Sequence, residues 1–330
     1  METNLIPQIQ QSPWIKHWAG QWSILSCSYF GHQYTQTIQN VLGTRVKRCI
    51  ILSANGTSTA FFETNDLNAF GNELCRKVEA NINIVPEWCN ELKRCTDNIL
   101  STIQSLQGKV PVEENVTPFI NALYAYSQAH IAVKKIVDFL PPALLEKTLP
   151  LFEKARIYAE PVYTETEKFT RQFVTALSQK TNYPSHLLLC MVKEELSIYF
   201  KTAQLPEKEI LDERFNATAL IFNEGKYEVY VGKNAKEIEN AILNKPFSGE
   251  LKGFCAYPGK IRGKVKIILN PKDQNDFAEG DILITGMTRP DYFSFFKKAS
   301  AVVTDAGGVL SHAAITAREL HKPTIIGTLS

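Results

Sequence analysis

The chain has 330 residues, 44% hydrophobic and 21% charged, with a formal net charge of +2. That length allows two domains, and the composition is ordinary for a globular protein. The small net charge, carried by scattered rather than striped basic residues, argues against nucleic acid or an anionic membrane as partner. The opening Met1-Glu2-Thr3-Asn4-Leu5-Ile6-Pro7 lacks the basic start and apolar centre of a signal peptide. No apolar run approaches the ~20 residues that span a bilayer. The seven cysteines are odd in number and contain no C-x-x-C pair, which fits free thiols in a reducing cytoplasm.

In chain order, Trp14, Trp18 and Trp22 recur every four residues, which predicts one helical face packed on a core. Gly31-His32-Gln33-Tyr34 is a candidate contributor to a ligand pocket, though nothing in the sequence compels it. Two apolar runs, 49–53 and 57–62, then flank Asn55-Gly56, the strongest short signal for a hairpin. Asn65-Asp66 reads as a cap for a helix over 67–78. Pro86 sits in the first turn of a helix running to about 106. Thr117-Pro118 starts another that runs to about 140 and ends at Pro141-Pro142. Helices follow over 143–158 and 162–180, and Ser185 caps a further one over 186–200. A second hairpin is predicted over 215–231, turning at 223–226. Residues 244–250, with Pro246, Ser248 and Gly249, have the composition of a hinge. The fold class is therefore α+β and multidomain, with a mainly helical part at 1–245 and a separate domain at 246–330. The first part holds no glycine-rich phosphate loop and no strand–helix alternation of a barrel.

The stretch from Ala301 to Leu320 carries the chemistry. A short apolar run, Ala301 to Val303, reads as a buried strand, followed by a turn with Gly307 and Gly308. Ser311 occupies an N-cap position, and His312 is the first residue of the helix it opens. Unpaired N–H groups and the positive end of the helix dipole converge at such a start, where glycine lets backbone approach an anion closely. A neutral imidazole there has a free lone pair that can attack phosphorus. Thr304 and Ser311 offer hydroxyls toward the phosphoryl oxygens; Asp305 either orients the ring or stabilises the turn. His130 lies inside an apolar helix and reads as a satisfied core imidazole. His17, His32, His186 and His321 stand outside any constellation. His312 and His321 lack ligand spacing, so no metal site is predicted.

Several separated blocks extend this pattern: Tyr257 to Val265, Gly280 to Thr285, Thr288 to Asp291, Val303 to Glu319 and Pro323 to Thr328. Together they make residues 249–330 resemble the mobile phosphohistidine domain of the phosphoenolpyruvate-utilising enzymes. That family includes phosphoenolpyruvate synthase, pyruvate phosphate dikinase and rifampin phosphotransferase. A weaker likeness to the rifampin-phosphotransferase branch covers 185–245, with Glu194-Glu195-Leu196 and Arg214. The resemblance implies a swivelling β/β/α domain whose His312 accepts a phosphoryl group at one site and delivers it at another. Many relatives carry Thr where this chain has Leu310. The family domain also runs on past 330, so a C-terminally incomplete domain with an unfinished sheet edge is expected. Arg289, in the turn before Pro290, and Arg318 are cationic candidates for the phosphate, though Arg318 reads equally as an anchor of its helix to the sheet.

Neither an ATP-grasp domain nor a phosphoenolpyruvate-binding barrel fits within the chain. The expected role is a phosphotransferase component, a kinase-like carrier. Its donor, ATP or phosphoenolpyruvate with Mg, would come from an ATP-grasp or other donor domain or protein in trans, and its acceptor would be a small molecule. The alternative is a non-catalytic regulatory or interaction module that keeps the His loop for folding alone.

Overall fold

The structure, a computed structural model, describes residues 5–243, 253–269, 271, 276–286, 288 and 292–328. The predicted hinge at 244–250 and Arg289 lie outside the described residues.

Helix α1 (Leu5–Gln11) leads into strand β1 (Trp14–Gly20), where the tryptophan spacing predicts a helix. A spacing of four is also a multiple of a strand's period of two, so the pattern does not discriminate. Pairing decides it, because β1 runs antiparallel to β3 (Thr57–Glu63) with a register shift between Lys16 and Trp18. That bulge sends Trp14 and Trp18 to opposite sides of the sheet. Trp22 follows in the loop before α2 (Ile24–His32). This helix continues through a π turn, Gln33–Thr37, into α3 (Gln39–Leu42).

Strands β2 (Arg48–Ala54) and β3 form the predicted hairpin, with Asn55 at φ 50° and Gly56 at φ 75°, the left-handed pair of a two-residue turn. The second hairpin, β4 (Thr218–Asn223) and β5 (Lys226–Val231), joins the same sheet. The order is β1-β3-β2-β4-β5, antiparallel throughout, with β2 paired to β4 from Arg48–Asn223 to Ser53–Thr218. Alternate residues of β2 face two cores: Cys49 and Ile51 enter the main one, and Ile50 and Leu52 enter a smaller one under α1 and α12 (Gly232–Leu243). Each such large side chain contributes about 1.5–3 kcal/mol by burial.

The main core is built by α4 (Thr64–Ala80), α5 (Ile84–Leu106), α6 (Glu113–Ile136), α7 (Pro142–Tyr158) and α8 (Pro161–Thr181). Several boundaries differ from expectation, among them α6, which starts ahead of Thr117-Pro118, contains Pro118 and ends at Ile136 instead of about 140. The cap of α4 is Glu63, whose carboxylate accepts from Asp66 N at 2.8 Å, so the helix starts ahead of Asn65. The single helix expected over 186–200 is broken into α9 (Ser185–Leu188) and α10 (Lys193–Thr202). The break is held by tertiary bonds that local sequence does not reveal. Glu195 accepts from Val192 N at 2.9 Å and receives both terminal nitrogens of Arg214 at 2.7 and 2.9 Å. Arg214 stands on α11 (Lys208–Asn216) and also donates to the Cys190 carbonyl.

A second five-stranded sheet follows, in the order β6-β10-β9-β8-β7. Its strands are β6 (Phe254–Tyr257), β7 (Val265–Ile267), β8 (Ile282–Thr285), β9 (Ala301–Thr304) and β10 (Thr324–Ile326). Only β6 is antiparallel to its neighbour. Helices α13 (Phe293–Lys298) and α14 (His312–Glu319) cover one face, enclosing Leu283, Val302, Phe296, Ala314 and Ile326 in a separate core. On the other face Val265, Ile267 and Ile325 are exposed, and the second β layer implied by the resemblance is not among the described residues. No described helix is long and apolar enough to cross a membrane. The seven cysteines are free thiols, and all but Cys255 are buried.

Candidate functional site

Loop 305–311 joins β9 to α14. Its shape is set by backbone bonds to the strand beside it: Asp305 N donates to the Thr285 carbonyl at 3.0 Å and Ala306 N to the Gly286 carbonyl at 2.8 Å. Gly307 turns at φ 134°, a conformation that costs a side-chain-bearing residue dearly. Ser311 caps α14 as its sequence position predicts, its Oγ accepting from Ala314 N at 3.3 Å. The first residue of the helix, His312, is half-buried. Thr304 is fully buried and donates its hydroxyl to the Ala306 carbonyl at 3.0 Å. Its hydroxyl thereby shapes the loop from within. Asp305 forms an ion pair with Lys16 of β1 at 3.7 Å.

The loop is pressed against the helical part of the chain. Val309 N donates to Asp138 Oδ1 at 3.0 Å, just beyond the end of α6. Leu310 is 1% exposed and belongs to the main core, not to that of its own sheet. Arg318 donates to Glu153 of α7 at 2.6 Å and to the Val309 carbonyl at 2.7 Å. These bonds tie α14 to α7, not to the sheet. Gly308 meets Asp138 so closely that a Cβ built there overlaps the carboxylate. Gly308→Ala is therefore expected to break the Val309–Asp138 bond, and faster amide exchange across 305–311 would register it. Adding Asp138→Ala should relieve the overlap.

Between the loop and the helices lies a cavity of about 1170 Å³ whose wall includes Gly307, Gly308, Ser311 and His312. Ligand pockets are commonly about 300–1,000 Å³, so the space exceeds most of them. Four-residue steps along α6 place Tyr126, His130 and Lys134 on this wall, and Asp138 joins them from the turn after the helix. Across from them stand Trp18, Trp22 and Tyr34, an aromatic lining contributed by the N-terminal segment. The tryptophans thus pack against the core and face the cavity at once.

Part of the lining is polar. His130 lies 2.8 Å from the Tyr163 hydroxyl and stacks on Tyr126, and Arg156 covers the Tyr163 ring at 5.3 Å while pairing with Glu160. Burial first, then the Arg156 and Lys134 charges, hold the His130 imidazole well below its ordinary pKa, so it stays neutral. This agrees with a buried, satisfied imidazole, although the ring also lines the cavity. His17, expected to stand apart, is buried on Phe62 at 4.2 Å on the same wall. Glu167 accepts from Ser26 Oγ at 2.8 Å and Ser23 N at 3.1 Å and pairs with Arg171 at 3.0 Å; burial raises its pKa. Cationic side chains outnumber the carboxylates Asp138, Glu160 and Glu167 on the lining. His17 Nδ1, Arg156 Nε and Thr166 Oγ1 are buried in this wall without a hydrogen-bond partner among the described residues. Among the described residues no group of His, Cys, Asp or Glu is arranged to hold a metal.

Sequence reasoning found the His loop and missed the opposite wall. The available signal was the four-residue rhythm of polar residues through α6, where a solvated face would read the same way.

Residues 277–329 match the family described as PEP-utilising enzyme, mobile domain. Over 100 residues the chain is 45% identical to a probable phosphoenolpyruvate synthase of Archaeoglobus fulgidus, covering 30% of this chain and 13% of that protein. It is 43% identical over 98 residues to an uncharacterized phosphotransferase of Bacillus subtilis, covering 29% and 12%. It is 43% identical over 101 residues to the phosphoenolpyruvate synthase of Pyrococcus furiosus, covering 31% and 12%. The chain thus spans about an eighth of the length of these relatives. Residues 277–329 are thus similar to the mobile domain of the PEP-utilising enzymes.

Proposed function

We propose that His312 carries a phosphoryl group from a donor held in trans to a small-molecule acceptor in the cavity. The donor is ATP or phosphoenolpyruvate with Mg, bound by an ATP-grasp or other donor domain or protein. The observation that carries this reading is the position of His312, at the start of α14 and on the wall of the cavity. The helix start stabilises the added negative charge by about 0.3–1 kcal/mol. The aromatic wall suits an acceptor with an apolar body. Transfer then depends on placing the acceptor hydroxyl in line with the phosphorus. The buried free thiols fit a cytoplasmic setting.

The test is to incubate the full chain with γ-labelled ATP or labelled phosphoenolpyruvate, Mg and host lysate as the source of donor. Acid-labile, base-stable label should map to His312 and be absent from His312→Gln. Label that persists in that variant removes the residue assignment. Failure of every donor removes the transfer reading and leaves a non-catalytic module, which the insertion of Leu310 into the main core would then suit.

A further inference from the structure

Most charged groups around the cavity are neutralised in place. Lys135 pairs with Asp138 at 3.4 Å, Arg156 with Glu160, Arg171 with Glu167 and Lys16 with Asp305. Lys134 is the exception: among the described residues it makes neither a hydrogen bond nor an ion pair, although it lines the same cavity as His312. Its position is fixed by α6. Four residues on, in the turn just beyond α6, Asp138 holds Val309, three residues before His312. One helical turn back, His130 packs against Tyr163. Lys134 therefore stands on the cavity wall between a residue that grips the His loop and one that packs on Tyr163.

Resting on the transfer reading above, we propose that Lys134 is the acid–base residue for the acceptor, its neutral amine taking the hydroxyl proton as the oxygen attacks phosphorus. In that step a P–O bond forms and the P–N bond to His312 breaks. The imidazole keeps the released electron pair and leaves as the neutral ring with its other N–H retained. The acceptor proton ends on Lys134 Nζ, giving an ammonium beside the new phosphate ester, and charge is conserved. Lys134 is suited to this because burial, then the Lys135 and Arg156 cations, pull its pKa down to about 7, against a smaller upward pull from Asp138 and Glu160. The charged and titratable groups around it are His130 and Lys135 on α6, Asp138 in the turn after it, Arg156 on α7, Glu160 and Tyr163 at the start of α8, and Lys16 and His17 on β1. Both protonation states are thus populated near neutral pH, as acid–base catalysis requires.

The test charges His312 of the full chain chemically with phosphoramidate and follows loss of the group to water and to added methanol between pH 5.5 and 9. In the parent the rate should climb through about pH 7 and level off, the amine being the active form. Lys134→Met and Lys134→Arg should both lose that climb, with rates at pH 8 lower by roughly 10²-fold. Superimposable profiles for parent and Lys134→Met overturn the proposal. So does a Lys134→Arg that matches the parent, because charge alone would then suffice. Should either variant unfold, the pH dependence of Lys134 acetylation in the parent decides: a midpoint near 7 supports the role and one near the ordinary lysine value of about 10.4 overturns it. Failure of the parent His312 to take up phosphate is a separate result, striking the transfer reading itself.

Discussion

Replacing Leu310 with alanine is expected to loosen the His loop from the helices by about 2–5 kcal/mol, the usual range for Leu→Ala in a core. Leu310 precedes His312 by two residues, yet it is fully enclosed by the main core and leaves the sheet it is covalently part of. Its burial energy therefore acts on the contact between the two parts of the chain rather than on the stability of the C-terminal sheet. Converted to populations, the loss corresponds to roughly 30- to 4,000-fold more of the undocked arrangement. Amide exchange across 305–311 should accelerate by that order while exchange in β8 and β9 stays unchanged. Uniform acceleration throughout the C-terminal sheet would show that Leu310 holds the fold together, and no change at all would show that the contact is inert.

Arg214→Leu is expected to cost about 3–5 kcal/mol of stability. The guanidinium is 8% exposed and grips the Glu195 carboxylate with two bonds while a third reaches the Cys190 carbonyl. Removing it strands a partly buried carboxylate, which is more damaging than removing the pair together. The double variant Arg214→Leu with Glu195→Leu should recover a large part of the loss. Urea titrations of the parent, the single and the double variants test this. A single variant within about 1 kcal/mol of the parent would mean that water replaces the guanidinium and the pair does little.

How much of this was legible in the sequence depends on the range of the forces involved. Asn55-Gly56 and Ser311 act through their own backbone neighbourhoods, and both the hairpin and the start of α14 lie where the residues placed them. Trp14 and Trp18 were misread because a period of four fits helix and strand alike, and pairing with β3 settles which forms. The division of the 186–200 helix is set by Arg214, which arrives from a later helix and stabilises a carboxylate at the new helix start. Thr304 and Arg318 carried plausible phosphate chemistry, but their hydrogen bonds are spent on the loop and on α7. The wall facing His312 was least legible. Lys134 gains its character first from burial, then from its neighbour Lys135 and from Arg156 on another helix; of these only Lys135 is visible near residue 134 in the sequence.

The clamp made by Arg318 has a further consequence for how the loop is retained. One of its bonds, to the Val309 carbonyl, stays within the loop and its helix, so only the bond to Glu153 must part when the loop leaves α7. That pair is partly open to water, as is the one between Lys16 and Asp305. Added electrolyte screens both over about 10 Å at 0.1 M, whereas it leaves the apolar grip of Leu310 untouched. Ionic strength therefore adjusts one component of the latch and spares the other.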